Sequence, residues 1–181
     1  MAIRTMTVAS GDGKWSPGWH QVTVTDAKPG VWEGPERKKK YIDLFFDGYP
    51  ETFKLRTFEN FNKETHEEFV IARLFKFANA GVIDLIKSPD GKEALQYDDD
   101  AKHLVGKSIN VLFYKETKGD KEFIQPSNRI APVVQTGDII SFSESDVEYH
   151  KSVSEKAQEE YSKKSDAPDM SSSKTEENIP F

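Results

Sequence analysis

The chain of 181 residues contains no cysteine. That excludes disulfides and thiolate metal sites and suits a reducing compartment. No stretch approaches the ~20 apolar residues needed to cross a bilayer, and Met1-Ala2-Ile3-Arg4-Thr5-Met6 lacks the apolar run of a secretion signal. These absences predict a soluble cytoplasmic protein with no membrane contact. The four histidines, His20, His66, His103 and His150, are scattered without ligand spacing. Gly11-Asp12-Gly13-Lys14 is too short for a phosphate-cradling Gly-x-x-x-x-Gly-Lys-Ser/Thr loop. No Ser-His-Asp or paired-carboxylate arrangement can be assembled from the spacing. The expectation is a protein without catalytic residues, cofactor or metal. Asp98, Asp99 and Asp100 form the one acidic run with metal-binding potential, and read most simply as a solvated loop.

The net charge of −6 is unevenly spread. From Glu144 onward ten acidic residues face five lysines, a net of −5, which leaves −1 for residues 1–143. A near-neutral body can still carry a basic groove, because phosphate affinity depends on where cations cluster. The strongest cluster is Arg37-Lys38-Lys39-Lys40. The Ser- and acid-rich segment 144–181 is too polar to pack and reads as a disordered acidic tail behind a domain of residues 1–143.

That domain reads as strands bounded by turns. Residues 19–27 alternate, with Val22 and Val24 on one face, and stop at a Pro29-Gly30 turn. After a Gly34-Pro35 loop and the basic run, Ile42, Leu44 and Phe46 share one face of a second strand, with Tyr41, Asp43 and Phe45 on the other. Residues 52–58 follow, with Phe53 and Leu55 opposite Lys54 and Arg56. Thr65-His66-Glu67-Glu68 matches a capping box, and Val70, Leu74, Phe77 and Ala78 keep helical spacing up to Gly81. Residues 84–104 resist placement beyond the turn at Ser88-Pro89-Asp90-Gly91. Residues 107–114 and 121–125 form a hairpin about Lys118-Gly119-Asp120, and residues 138–142 suggest an edge strand. The order strand, strand, strand, helix, strand, strand predicts a mainly β five-stranded OB-fold barrel with its helix between strands 3 and 4.

Single strands of nucleic acid are held by basic grooves along phosphates and by aromatics that stack on bases. The second and third strands of an OB-fold and their loops form its oligonucleotide surface. Trp32, Arg37, Lys38, Lys39, Lys40, Tyr41, Phe45, Lys54 and Arg56 fall in that region, and Tyr114 is a further stacking candidate. Small barrels are rich in aromatics, so Trp15, Trp19 and Trp32 serve equally well as plugs for its ends.

The chain ends in Glu176-Glu177-Asn178-Ile179-Pro180-Phe181, an acidic tail with an apolar tip. This tip resembles the C-terminus of bacterial single-stranded-DNA-binding proteins, which run several Asp into Ile-Pro-Phe; here two Glu and an Asn stand in place of the Asp run. Through Pro17-Gly18-Trp19-His20-Gln21-Val22 and Leu104-Val105-Gly106-Lys107 the body resembles phage single-stranded-DNA-binding proteins of the OB type. The resemblance implies a protein that coats single-stranded DNA in replication, recombination and repair within the host cytoplasm. It also implies that the tip, Glu176, Glu177, Ile179, Pro180 and Phe181, recruits replication, recombination or repair proteins. It leaves self-association open. The competing readings are an OB-type adaptor for a protein ligand and a metal-dependent DNA-processing enzyme using residues 98–100.

Overall fold

A computed structural model describes residues 2–4 and 13–165. The recruiting tip expected at residues 176–181 lies outside the described residues. The architecture is mainly β, a five-stranded sheet and a separate two-stranded one, with two α-helices. The strands are β1 (Gly18–Glu33), β2 (Lys38–Phe46), β3 (Lys54–Phe58), β4 (Val82–Lys87), β5 (Glu93–Tyr97), β6 (Ser108–Lys118) and β7 (Lys121–Ala131). Helix α1 (Val70–Ala78) follows β3, and α2 (Glu144–Ser165) follows β7. The large sheet is antiparallel throughout in the order β3-β2-β1-β6-β7, and β4 and β5 pair with each other.

The sheet curls because β1 serves two partners. Its residues from Gly18 to Thr23 pair with β6, and those from Val24 to Glu33 pair with β2. No backbone ladder joins the outer edges of β3 and β7. Instead the Asn128 carboxamide of β7 accepts from the Thr57 hydroxyl at 3.1 Å and donates to the Arg56 carbonyl at 3.3 Å. Inside the curl lie Leu44, Ile109, Val111 and Phe113, with Leu74 and Phe75 of α1 packed on them.

Where β1 changes partner, the register slips between Val24 and Asp26. A bulge adds one residue to one strand and reverses which way its side chains point. Val22 and Val24 face the core before it; after it Ala27 faces inward, and Lys28, Gly30 and Trp32 share the outer face with Tyr41 and Asp43 of β2. The turn expected at Pro29-Gly30 is therefore mid-strand, and the turn into β2 lies later, where the Gly34 N–H bonds the Arg37 carbonyl.

Several other expectations need correction. Helix α1 begins at Val70, and no capping box forms at Thr65. Glu68 instead accepts from the backbone N–H groups of Asn60, Val70, Ile71 and Ala72 at 2.8–3.1 Å, so one carboxylate satisfies three donors of the first turn and tethers the preceding loop. The helix ends at Asn79, which takes the left-handed conformation, two residues before Gly81. Residues 84–104 hold most of the β4–β5 hairpin and a short 3-10 helix at Ala101–Leu104. The edge strand expected at residues 138–142 amounts to one bridge between Gln135 and Phe142.

The segment from Glu144, expected to be disordered, starts with the 22 residues of α2. Ser143 and Asp146 cap it reciprocally: the Ser143 N–H donates to the Asp146 carboxylate at 2.8 Å, and the Asp146 N–H donates to the Ser143 hydroxyl at 3.2 Å. Val147 is buried in the core. Ser154 donates to the Ile130 carbonyl, and the Trp19 indole donates to Glu155 at 2.7 Å. Among the described residues no helix is long and apolar enough to cross a membrane.

Candidate nucleic-acid interface

The outer face of β1–β3 is laid out by cross-strand register. Trp32 stands opposite Lys39; Gly30 opposite Tyr41 and then Phe58; Lys28 opposite Asp43 and then Arg56; Asp26 opposite Phe45 and then Lys54. Aromatic and cationic side chains thus alternate along and across three strands.

Asp43 is the centre of this face. Its side chain is only 9% exposed although it sits on the outer surface, because Arg56 and Lys54 lie over it. Arg56 grips it with two bonds, Nε to Oδ1 at 2.8 Å and an Nη to Oδ2 at 2.9 Å, and Lys54 Nζ stands 3.4 Å from Oδ2. Burial works against the ionised carboxylate, but the Arg56 hydrogen bonds and charge, with Lys54 behind them, outweigh it and hold Asp43 below the usual carboxylate range. The same hydrogen bonds raise Arg56 further, against a smaller effect of burial.

Held in this way, the Arg56 guanidinium lies 3.9 Å from the centroid of the Tyr41 ring, a cation–π stack. Tyr41 also leans on Phe58 at 5.6 Å and covers Gly30, where an added Cβ would meet the ring at 2.4 Å. Trp32 lies just as closely over Gly34, again at 2.4 Å. Two glycines thereby let two rings lie flat on the surface. Lys28 stands 5.0 Å over Phe45.

Six of the ten residues expected from sequence, Trp32, Lys39, Tyr41, Phe45, Lys54 and Arg56, come together on this face. Lys38 and Lys40 alternate to the opposite face, and Lys38 pairs with Glu33 at 3.4 Å. Arg37 is exposed in the hairpin turn. Burial, then repulsion from Arg37, lowers the Lys39 ammonium, with Glu59 acting the other way. The structure does not bring Tyr114 to this face: it lies on β6 opposite Gln125 and close to Tyr161 of α2. Trp15 packs edge-on against Tyr49 and Phe53 at 5.2 Å, and Trp19 bonds Glu155, so both have structural duties.

Sequence reasoning missed Lys28, Gly30 and the organising role of Asp43. Asp43 had a visible signal, a carboxylate in an aromatic row with two cations in the next strand. In the acidic run of residues 98–100, Asp98 accepts from His103 at 2.9 Å and Asp100 caps the 3-10 helix; among the described residues no group of His, Asp and Glu is arranged to hold a metal ion.

No family model, curated protein or solved structure matches this chain. Any functional reading therefore rests on its own residues.

Proposed function

We propose that this chain is a non-enzymatic single-stranded-DNA-binding protein of phage type. It coats exposed strands with little sequence preference during replication, recombination and repair. The observation that carries the reading is the outer face of β1–β3, where Trp32, Tyr41 and Phe45 alternate with Lys28, Lys39, Lys54 and Arg56. Bases stack on aromatic faces whatever their identity, and cations between the rings track the phosphates. The strand order, with β1 shared between two partners and a helix after β3, supports an OB-type barrel in which β4 and β5 are an inserted hairpin.

The measurement is a titration with oligo-dT followed by tryptophan fluorescence. Quenching is expected in the wild type. Trp32→Ala should lose about 1–3 kcal/mol of binding with little change in melting temperature, since Trp32 lies beyond the core. An unquenched wild type would reject the reading in favour of a protein-binding adaptor. That alternative draws on the engagement of Lys54 and Arg56 by Asp43, which leaves fewer donors for phosphates.

The acidic tip is proposed to recruit partner proteins, with Phe181 filling an apolar pocket and its carboxylate meeting a basic rim. Deleting Phe181 should leave oligo-dT affinity unchanged and abolish capture of replication and repair proteins from host extract. Capture of the same proteins by both forms would remove the recruiting role.

A further inference from the structure

The reverse of the β1–β2 ladder, behind the aromatic face, borders an open cavity of about 380 Å³. Register supplies one wall. Pro29 pairs with Ile42 and Val31 with Lys40, and these four alternate with the outward residues Lys28, Gly30, Trp32, Tyr41 and Asp43. Ile71 in the first turn of α1 and Asp99 in the loop after β5 supply the other. Ile42 is buried while Val31, Lys40 and Asp99 are exposed, so the cavity is apolar at its base and charged and open to solvent at its mouth. Apolar walls with a few polar groups, at this size, are the makeup of a small-molecule site.

The two charges at the mouth are unengaged. Asp98 bonds His103 and Asp100 caps the 3-10 helix, but the Asp99 carboxylate between them has no hydrogen-bond or ion-pair partner among the described residues. The same holds for Lys40 Nζ. The Lys40 main chain, by contrast, is tied on both sides to Glu59: its N–H donates to the Glu59 carboxylate and its carbonyl accepts from the Glu59 N–H, both at 2.9 Å. A fixed backbone thus presents a cation whose charge is left for a ligand.

We infer that this cavity binds a guanine nucleotide, with the base between the apolar walls, its Watson–Crick edge on Asp99 and its phosphate on Lys40. The donor pattern selects the base. A carboxylate only accepts, and guanine alone among the DNA bases offers two adjacent donors, N1–H and N2–H, to its two oxygens. Adenine and cytosine place a ring-nitrogen acceptor beside their amino group, and thymine flanks its one N–H with two carbonyls, so each sets an acceptor against the carboxylate. Sites built on such hydrogen bonds discriminate strongly against analogues that leave them unmade. The phosphate answers the lysine, whereas an aliphatic peptide side chain would fill the walls and leave both charges idle. The site stands whether or not the aromatic face binds DNA.

The test titrates the full-length, 15N-labelled chain with dGMP, dAMP, dCMP or TMP and follows backbone amide shifts by NMR. With dGMP the amides of Val31, Lys40, Ile71 and Asp99 should shift together and saturate with a Kd of about 1 mM, and the other three nucleotides should bind at least about tenfold more weakly. Asp99→Asn, an exposed substitution, should erase the preference for dGMP, and Lys40→Gln should weaken dGMP several-fold. Equal shifts with dGMP and dAMP, shifts confined to Trp32 and Tyr41, no saturation, or an Asp99→Asn protein that still prefers dGMP would each overturn the site. A strand arm separates the sources of the base. Tighter binding of oligo-dT carrying one central dG than of plain oligo-dT, lost in Asp99→Asn, assigns the site to guanine within a strand, and equal binding assigns it to the free nucleotide. Should oligo-dT fail to bind at all, the proposed function falls while the dGMP titration still decides this site.

Discussion

Asp43→Asn is expected to lower the melting temperature by about 5–15 °C and, on the proposed reading, to tighten binding to oligo-dT several-fold at low salt. The stability loss follows from the bidentate Arg56 bonds and the Lys54 contact, all of which address a carboxylate that is itself buried. Removing one partner of a fully buried ion pair costs about 3–5 kcal/mol. Because Arg56 is 35% exposed and Lys54 more so, solvent offsets part of that, and about 2–4 kcal/mol is the better figure. The pH dependence has a definite sign. Asp43 is held below its ordinary range when folded, so its contribution is complete above the unfolded value near ~3.9 and disappears as pH falls through the lower folded value. The variant should lack that part of the acid transition. The affinity gain follows because the substitution removes the one negative charge at the centre of the face and releases donors of Arg56 for phosphate. Calorimetric melts between pH 2 and 7 read the first effect and low-salt titrations the second. A variant as stable as wild type would show the Arg56 bridge to be idle, and unchanged affinity would show that the DNA path avoids Asp43.

The second large effect concerns where the tail begins. Cutting the chain after residue 143 should cost about 3–5 kcal/mol, whereas cutting after residue 165 should cost almost nothing. The first cut removes Val147 from the core, worth about 1.5–2 kcal/mol. It also removes the Ser154 bond to Ile130, the Trp19–Glu155 bond and the Gln158 contact with Arg129, together worth a further two or so at about 1 kcal/mol or less each. The second cut leaves α2 whole and deletes four acids and one lysine, a net charge of −3. If the tail competes with DNA, this shorter deletion should tighten oligo-dT binding, most at low salt where the charge is least screened. Urea unfolding of both truncations separates folding from competition. Equal stability of the two would mean that α2 is not part of the folded body.

How much of this was legible depended on whether a pattern stayed in phase. In β2 the inward row Ile42, Leu44 and Phe46 and the outward row Tyr41, Asp43 and Phe45 are uninterrupted, so strand and faces could be read directly. In β1 the bulge after Val24 throws alternation out of phase, and Pro29-Gly30 then looks like a turn; the pairing of Pro29 with Ile42 depends on a neighbour that local sequence does not specify. Lys28, on the far side of that break, was lost from the site for the same reason. Helix α2 was hidden by composition, since Ser, Glu and Lys dominate it and one residue, Val147, supplies its fully buried anchor. Its cap, Ser143 with Asp146, was nevertheless written in the sequence.

The Asn128 bridge has a mechanical consequence. A backbone ladder parts rung by rung, but here two edges are fastened by a single carboxamide whose two bonds reach Thr57 and Arg56. It works as a latch. Arg56 belongs at once to this latch, through its carbonyl, and to the Tyr41 stack, through its guanidinium. A ligand that pulls on the Arg56 guanidinium or its Tyr41 stack therefore acts on the residue whose carbonyl holds the clasp.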